Sequence, residues 1–219
     1  MTGSSDSRNL PGDLRYRAHP WHGVSLGENW PEVVNAYIEV VPSDTVKYEL
    51  DKETGILMID RPQHYSSIYP TLYGMLPRTY CGQRIGDFCS EKSGNQGITG
   101  DKDPLDICVM TEKIVPHGDI LLQARPIGGF RLLDSGEADD KILAVLVGDA
   151  LYGQSNSIED ISTEVIRRLE HFFLTYKQMP GGSEQKCVLD STYSRAEAHE
   201  IIKLASEDYA EIFGTAGSS

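Results

Sequence analysis

The sequence predicts an α+β protein, mainly β, on three observations. Short runs rich in Val, Ile and Leu recur between residues 33 and 147, with turn residues between them. One run, Val46 to Asp51, alternates cleanly, as a half-buried strand does. Apolar residues at helical spacing dominate only from residue 161 onward. Many short strands joined by turns describe a barrel or a sandwich. Two helices then close the chain.

Val33 to Val41 is the first strand and Val46 to Asp51 the second. In the second, Val46, Tyr48 and Leu50 share one face, while Lys47, Glu49 and Asp51 share the other. Lys52-Glu53-Thr54-Gly55 is a tight turn, and Ile56 to Asp60 returns. Gly82 to Gly100 is polar, Gly-rich and longer than the usual connection of about 4–6 residues, so it reads as an inserted surface loop without a role. Further strands fall at 107–112, 119–133 and 141–147. Ile161, Val165, Ile166, Leu169, Phe172, Phe173 and Tyr176 form the stripe of a first helix, ended by Pro180-Gly181-Gly182. Ser194 with Glu197 makes a capping-box pattern before Ala198, Ile201, Ile202, Ala205, Tyr209, Ile212 and Phe213. The chain of 219 residues, without internal repeats, is expected to form one domain over 19–214, with a flexible arm at 1–18 and a flexible tail at 215–219.

The formal net charge of −13 argues against a nucleic-acid or anionic-membrane partner, whose affinity rests on basic surface. A small anionic substrate stays possible if metals and a few placed cations reverse the sign locally. No apolar run approaches the roughly 20 residues of a membrane span. Met1 to Gly12 lacks the apolar centre of a secretory signal, and Asp6 and Asp13 weaken an organellar presequence. Cys81, Cys89, Cys108 and Cys187 show no C-x-x-C spacing, so a cytoplasmic protein with reduced thiols is expected. Cys108, inside an apolar strand, reads as core.

The densest chemistry lies in Asp101-Lys102-Asp103-Pro104-Leu105-Asp106. Side chains two apart on extended chain point the same way, so Asp101 and Asp103 can face one cavity, and Asp106 can rejoin them after Pro104. Clustered carboxylates suit hard divalent cations; a solvated acidic turn is the plainer alternative. A calcium hand starting at Asp101 fails, because Leu105 replaces an oxygen ligand and Asp106 occupies the turn-glycine position. Gly23-Val24-Ser25-Leu26-Gly27 has the spacing of a nucleophile elbow but lacks the strand and helix that must flank it. His199-Glu200 begins a zinc-site pattern that ends on Lys203 instead of histidine. His171 reads as a packing or subunit-contact residue.

Taken in order, a set of short motifs closely resembles the family I soluble inorganic pyrophosphatases. They are Glu39; Lys47-Tyr48-Glu49; Asp60-Arg61; Tyr69-Pro70-Thr71-Leu72-Tyr73-Gly74; the Asp101 to Asp106 segment; Asp134, Asp139 and Lys141; and Phe172-Phe173-Leu174-Thr175-Tyr176-Lys177. Two departures stand out. Lys102 occupies a position where the family usually has a small residue, and would be strained if φ is positive there. The 82–100 segment is an insertion relative to shorter members.

The resemblance implies an OB-type five-stranded closed barrel with flanking helices, and Mg²⁺-dependent hydrolysis of pyrophosphate to two phosphates by an activated water. It implies that Asp101, Asp106 and Asp139 bind activating Mg²⁺, with Asp106 shared between two ions. Asp134 and Asp139 would hold further Mg²⁺ arriving with substrate, and Glu39 and Glu49 would assist through water. Asp103 is the implied general base. Lys47, Arg61, Tyr73, Lys141, Tyr176 and Lys177 would grip phosphoryl oxygens. The substrate would come as a magnesium complex, and a homo-oligomer is implied, with a hexamer favoured. Two rivals stay open: an OB-type binding module using the acidic cluster as a structural cation site, and a phosphohydrolase acting on nucleotides.

Overall fold

The computed structural model describes residues 17–178 and 187–214. The expected tail, the helix stop at Pro180-Gly181-Gly182 and nearly all of the expected arm lie outside these residues. Ten strands and three α-helices are present among the described residues. They run β1 (Val34–Val40), β2 (Val46–Leu50), β3 (Leu57–Pro62), β4 (Leu72–Met75), α1 (Gln83–Ser93), β5 (Thr99–Gly100), β6 (Asp106–Met110), β7 (Ile120–Asp134), β8 (Glu137–Ala138), β9 (Lys141–Leu146), α2 (Thr163–Thr175), β10 (Cys187–Ser194) and α3 (Arg195–Phe213).

Five strands pair in a closed circuit. β1 pairs β4, β4 pairs β6, β6 pairs β9 in parallel, β9 pairs β7, and β7 returns to β1. The 15-residue β7 serves β1 with its first part, β9 with its middle, and β8 and β10 with its end. Gly128 and Gly129 allow that change of partner: a Cβ on either would lie 2.6 Å or less from Tyr193 of β10. A two-stranded ribbon, β2 with β3, stands apart from the circuit and carries Lys47 opposite Arg61. Its turn is closed at Asp51, whose carboxylate accepts the Thr54 N–H at 2.8 Å, and Gly55 there has φ +70°.

β6 and β9 are buried on both faces. Ile107, Val109, Ile142 and Ala144 join α1 and α3 in one cluster, while Cys108, Met110, Leu143 and Val145 join α2 in another. That explains why these strands read as unbroken apolar runs instead of alternating ones. All four cysteines are free and buried.

The reading of 82–100 as a surface loop is corrected by the structure. Residues 83–93 form α1, which buries Ile85, Phe88 and Cys89 against α3 and the sheet. Its N-terminus is capped from a distance. The Asp208 carboxylate of α3, itself 3% exposed, accepts the N–H groups of Gly82 at 3.0 Å, Arg84 at 3.1 Å and Ile85 at 3.3 Å. Asp208 also takes the Arg84 guanidinium at 2.9 Å. Asp208→Ala strands these helix-end donors in a buried place. It should cost about 2–3 kcal/mol, roughly 5–10 °C in thermal unfolding; an unchanged midpoint would show that α1 holds without this cap.

The capping box at α3 is also corrected. Ser194 is the N-cap residue, but its side chain makes no capping hydrogen bond. Glu197 instead pairs with Arg131. A guanidinium 3% exposed needs a counter-charge more than a helix end near solvent needs a second cap. The first helix begins two residues later than its stripe, with Ile161 buried just ahead of it. Four strands carry no signal that reads as strand: β4, β5, β8 and β10 are short or polar.

Candidate active site

The carboxylates of the Asp101 to Asp106 segment do face one cavity, but not because the chain is extended. Lys102 has φ +67°, in the left-handed region. The Asp103 N–H donates to Asp101 Oδ1 at 3.0 Å, so the segment folds on itself as an Asx turn. Cys81 clamps the turn from behind: its carbonyl accepts the Lys102 N–H at 3.0 Å, and its own N–H donates to the Asp103 carbonyl at 2.8 Å. Leu105, fully buried, is the peg. Its N–H donates to Thr79 Oγ1 at 2.9 Å and its carbonyl accepts the Leu76 N–H at 2.9 Å. Thus the residue that spoils a calcium hand is the one that seats the turn.

The cavity has a volume of about 310 Å³. All thirteen side chains singled out in the sequence line it, drawn from β1, the ribbon, β4, the 101–106 segment, the end of β7, β9 and the end of α2. Eight carboxylates face five cations. Each cation is paired: Lys47 with Glu49 at 2.7 Å and Asp60 at 3.1 Å, Arg61 with Asp60, Lys52 with Asp103, Lys177 with Asp134, and Lys141 with both Asp106 and Asp139. Tyr73 Oη donates to Asp106 at 2.6 Å. Lys52 and Glu137 were not legible as site residues. Lys52 reads as a turn residue, and Glu137 as part of an acidic hairpin loop.

The surplus of acid shows in the titration of its buried members. Burial first, then the charge of Asp139, pushes Asp101 up to about 8. Burial likewise pushes Glu39, 7% exposed, up to about 8 although it accepts the Leu50 N–H at 2.7 Å. Burial raises Asp106 against the pull of Lys141. Burial opposes the charge of Lys141 too, but Asp106 and Asp139 hold its ammonium well above the usual range.

Among the described residues no three carboxylate, imidazole or thiol groups close on a common point; the Lys141 ammonium sits between two of the carboxylates instead. The donor chemistry nevertheless fits hard divalent cations. The lining offers carboxylate oxygens and no imidazole or thiol, and several of those carboxylates lack a counter-charge.

Asp101 and Glu39 bind protons more tightly folded, near 8, than at their ordinary values of 3.8 and 4.5. Their contribution is therefore lost as pH rises through the folded values. Burial lowers His22 and His199, which push stability the other way only below about pH 7. Chelator-treated protein should lose thermal stability from about pH 7 to about pH 8.5, and magnesium should restore it. A flat or rising midpoint in chelator over that interval would mean that these carboxylates ionise without help.

The comparisons with known proteins agree with one another. A family model described as inorganic pyrophosphatase matches residues 36–210. An inorganic pyrophosphatase of Chlamydia muridarum is 52% identical over 199 residues, covering 89% of this chain and 95% of that protein. A soluble inorganic pyrophosphatase of Zea mays is 34% identical over 194 residues, covering 89% and 80%. The crystal structure of the inorganic pyrophosphatase from Thermus thermophilus superposes with a TM-score of 0.72 at 25% identity, covering 88% of this chain and 99% of that one.

Proposed function

The chain belongs to the inorganic pyrophosphatase family, a family of diphosphatases acting on pyrophosphate, and from that premise we propose a magnesium-dependent reaction in which water is the nucleophile. The observation that carries this reading is the composition of the cavity: eight carboxylates, five cations and about 310 Å³. Thirteen of the nineteen lining residues are charged, which suits a compact polyanion. Phosphoryl transfer asks for little covalent help and much positioning and charge neutralisation, which such a lining supplies.

Asp101, Asp106 and Asp139 would hold the activating Mg²⁺. Asp134 and Asp139 would hold further Mg²⁺ with the substrate, and Glu39 and Glu49 would assist through water. Bound Mg²⁺ supplies positive charge against the phosphoryl oxygens and makes water easier to deprotonate. Asp103 takes the proton of the attacking water. Lys47, Arg61, Lys141 and Lys177 each stand paired to a carboxylate in the structure. With substrate bound, they would turn to its phosphoryl oxygens. Arg61 can do so bidentately and the lysines as point charges; Tyr73 and Tyr176 add hydroxyl donors.

The five-strand circuit is further proposed to be an OB-type barrel, in a single domain over 19–214. The protein is proposed to be cytoplasmic and to work as a homo-oligomer, a hexamer by preference, with His171 at a subunit contact. No helix among the described residues is long and apolar enough to cross a membrane.

Phosphate release from pyrophosphate, followed as Mg²⁺ is raised from zero with ATP in parallel, tests the reaction. Fast release from pyrophosphate that needs magnesium, with little from ATP, is expected. Equal release from ATP would favour the nucleotide phosphohydrolase, and no release at any magnesium level would leave a binding role.

A further inference from the structure

Between Asp139 and Lys141, which line the cavity, stands a third charged residue that does not line it. Asp140 is 3% exposed. Neighbouring side chains on extended backbone point to opposite faces. Here the 139–141 backbone runs beside β7: the Asp139 N–H donates to the Leu132 carbonyl at 2.9 Å, and Lys141 lies opposite Phe130. Arg131, between those two positions on β7, is therefore on the far face with Asp140.

Arg131 is held from several sides. It is 3% exposed, donates to Ser191 Oγ at 3.1 Å and pairs with Glu197 of α3. Its guanidinium lies 5.7 Å from the ring centres of both Phe88 of α1 and Tyr193 of β10. Asp140 Oδ1, Arg131 Nε and Tyr193 Oη are each buried without a hydrogen-bond partner. A buried carboxylate with an incomplete set of hydrogen bonds costs stability. Its place between two cavity residues gives it another use.

We propose that Asp140 is a positioning residue for pyrophosphate hydrolysis: its buried carboxylate, across the strand pair from the buried Arg131 guanidinium, is drawn to the far face of β7 and so holds Asp139 and Lys141 against the cavity. The inference rests on the pyrophosphatase reading and adds to it a residue behind the site. It also gives α1, α3 and β10 a share in that geometry, since all three grip Arg131 or Tyr193. Arg131 keeps Glu197 and Ser191 when Asp140 is removed, so no cation is stranded.

Asp140→Ala is the test, with thermal unfolding and steady-state phosphate release measured on one preparation. The thermal midpoint should equal or exceed that of the wild type. kcat should fall roughly ten-fold or more, as expected for misplaced reacting groups, with KM for magnesium pyrophosphate changed much less. kcat within about two-fold of wild type overturns the inference, as does a kcat loss matched by a lower midpoint, which marks a structural role. Should Asp140→Ala not fold, Asp140→Asn removes only the charge. Lower kcat on an intact fold then supports the proposal, and unchanged kcat overturns it. Wild-type protein that releases no phosphate removes the reading and the inference together, whereas active wild type with unaffected variants removes the inference alone.

Discussion

Asp103→Asn should leave the fold and the magnesium requirement in place and lower turnover by roughly a thousand-fold, within the range for loss of a general base. The backbone at this position is fixed without its side chain. The Cys81 backbone holds the Lys102 N–H and the Asp103 carbonyl, and the Asp103 N–H is already taken by Asp101. Among the described residues the carboxylate itself pairs only with Lys52, and both side chains are about two-fifths exposed. An exposed pair of that kind adds little to stability. The substitution therefore removes proton-accepting ability at nearly constant shape. kcat, half-saturating magnesium and the thermal midpoint, measured together, check it. Turnover within ten-fold of wild type would take the base role from Asp103, and a changed magnesium requirement would make it a ligand.

The lining of the cavity was legible in the sequence where its residues are local. Asp101 and Asp103 could be picked out because three carboxylates fall within six residues, although the run alone reads equally well as a solvated acidic turn. The other cavity residues were not legible singly; Lys47, Arg61 or Lys177 alone reads as a wet strand face or a helix-end cation, and only the ordered set of motifs joined them. Lys52 escaped because a lysine in a turn gives no sign that the turn folds over the cavity. The fold divides in the same way. β6 and β9 declared themselves because both their faces are buried. α1 did not, because its buried face amounts to Ile85, Phe88 and Cys89 among polar residues. Its stability is drawn from Asp208, more than a hundred residues away in sequence. Glu197 shows a local rule losing to a distant need: the capping pattern was present, but the buried Arg131 claimed the carboxylate.

Lys141 is where the charge balance of the cavity is most exposed to test. Its ammonium is 2% exposed and lies between Asp106 and Asp139. Lys141→Met keeps most of the volume and removes the charge, leaving two half-buried carboxylates facing each other. Breaking a buried pair from one side costs about 3–5 kcal/mol, on the order of 10 °C for a chain of this size. Protonation of the carboxylates limits that cost at low pH, so the loss should grow as pH rises. Magnesium should return much of the lost stability, because a cation in the cavity supplies what the lysine did. Phosphate release should stay low even then, since the group that would meet the phosphoryl oxygens is gone. Thermal unfolding of wild type and variant in chelator and in magnesium, at two pH values, reads all of this at once. Equal midpoints in chelator would mean that Asp106 and Asp139 are neutral in the metal-free protein. A deficit that magnesium leaves untouched would mean that the ion does not reach these two carboxylates, and the proposed ligand set would have to move.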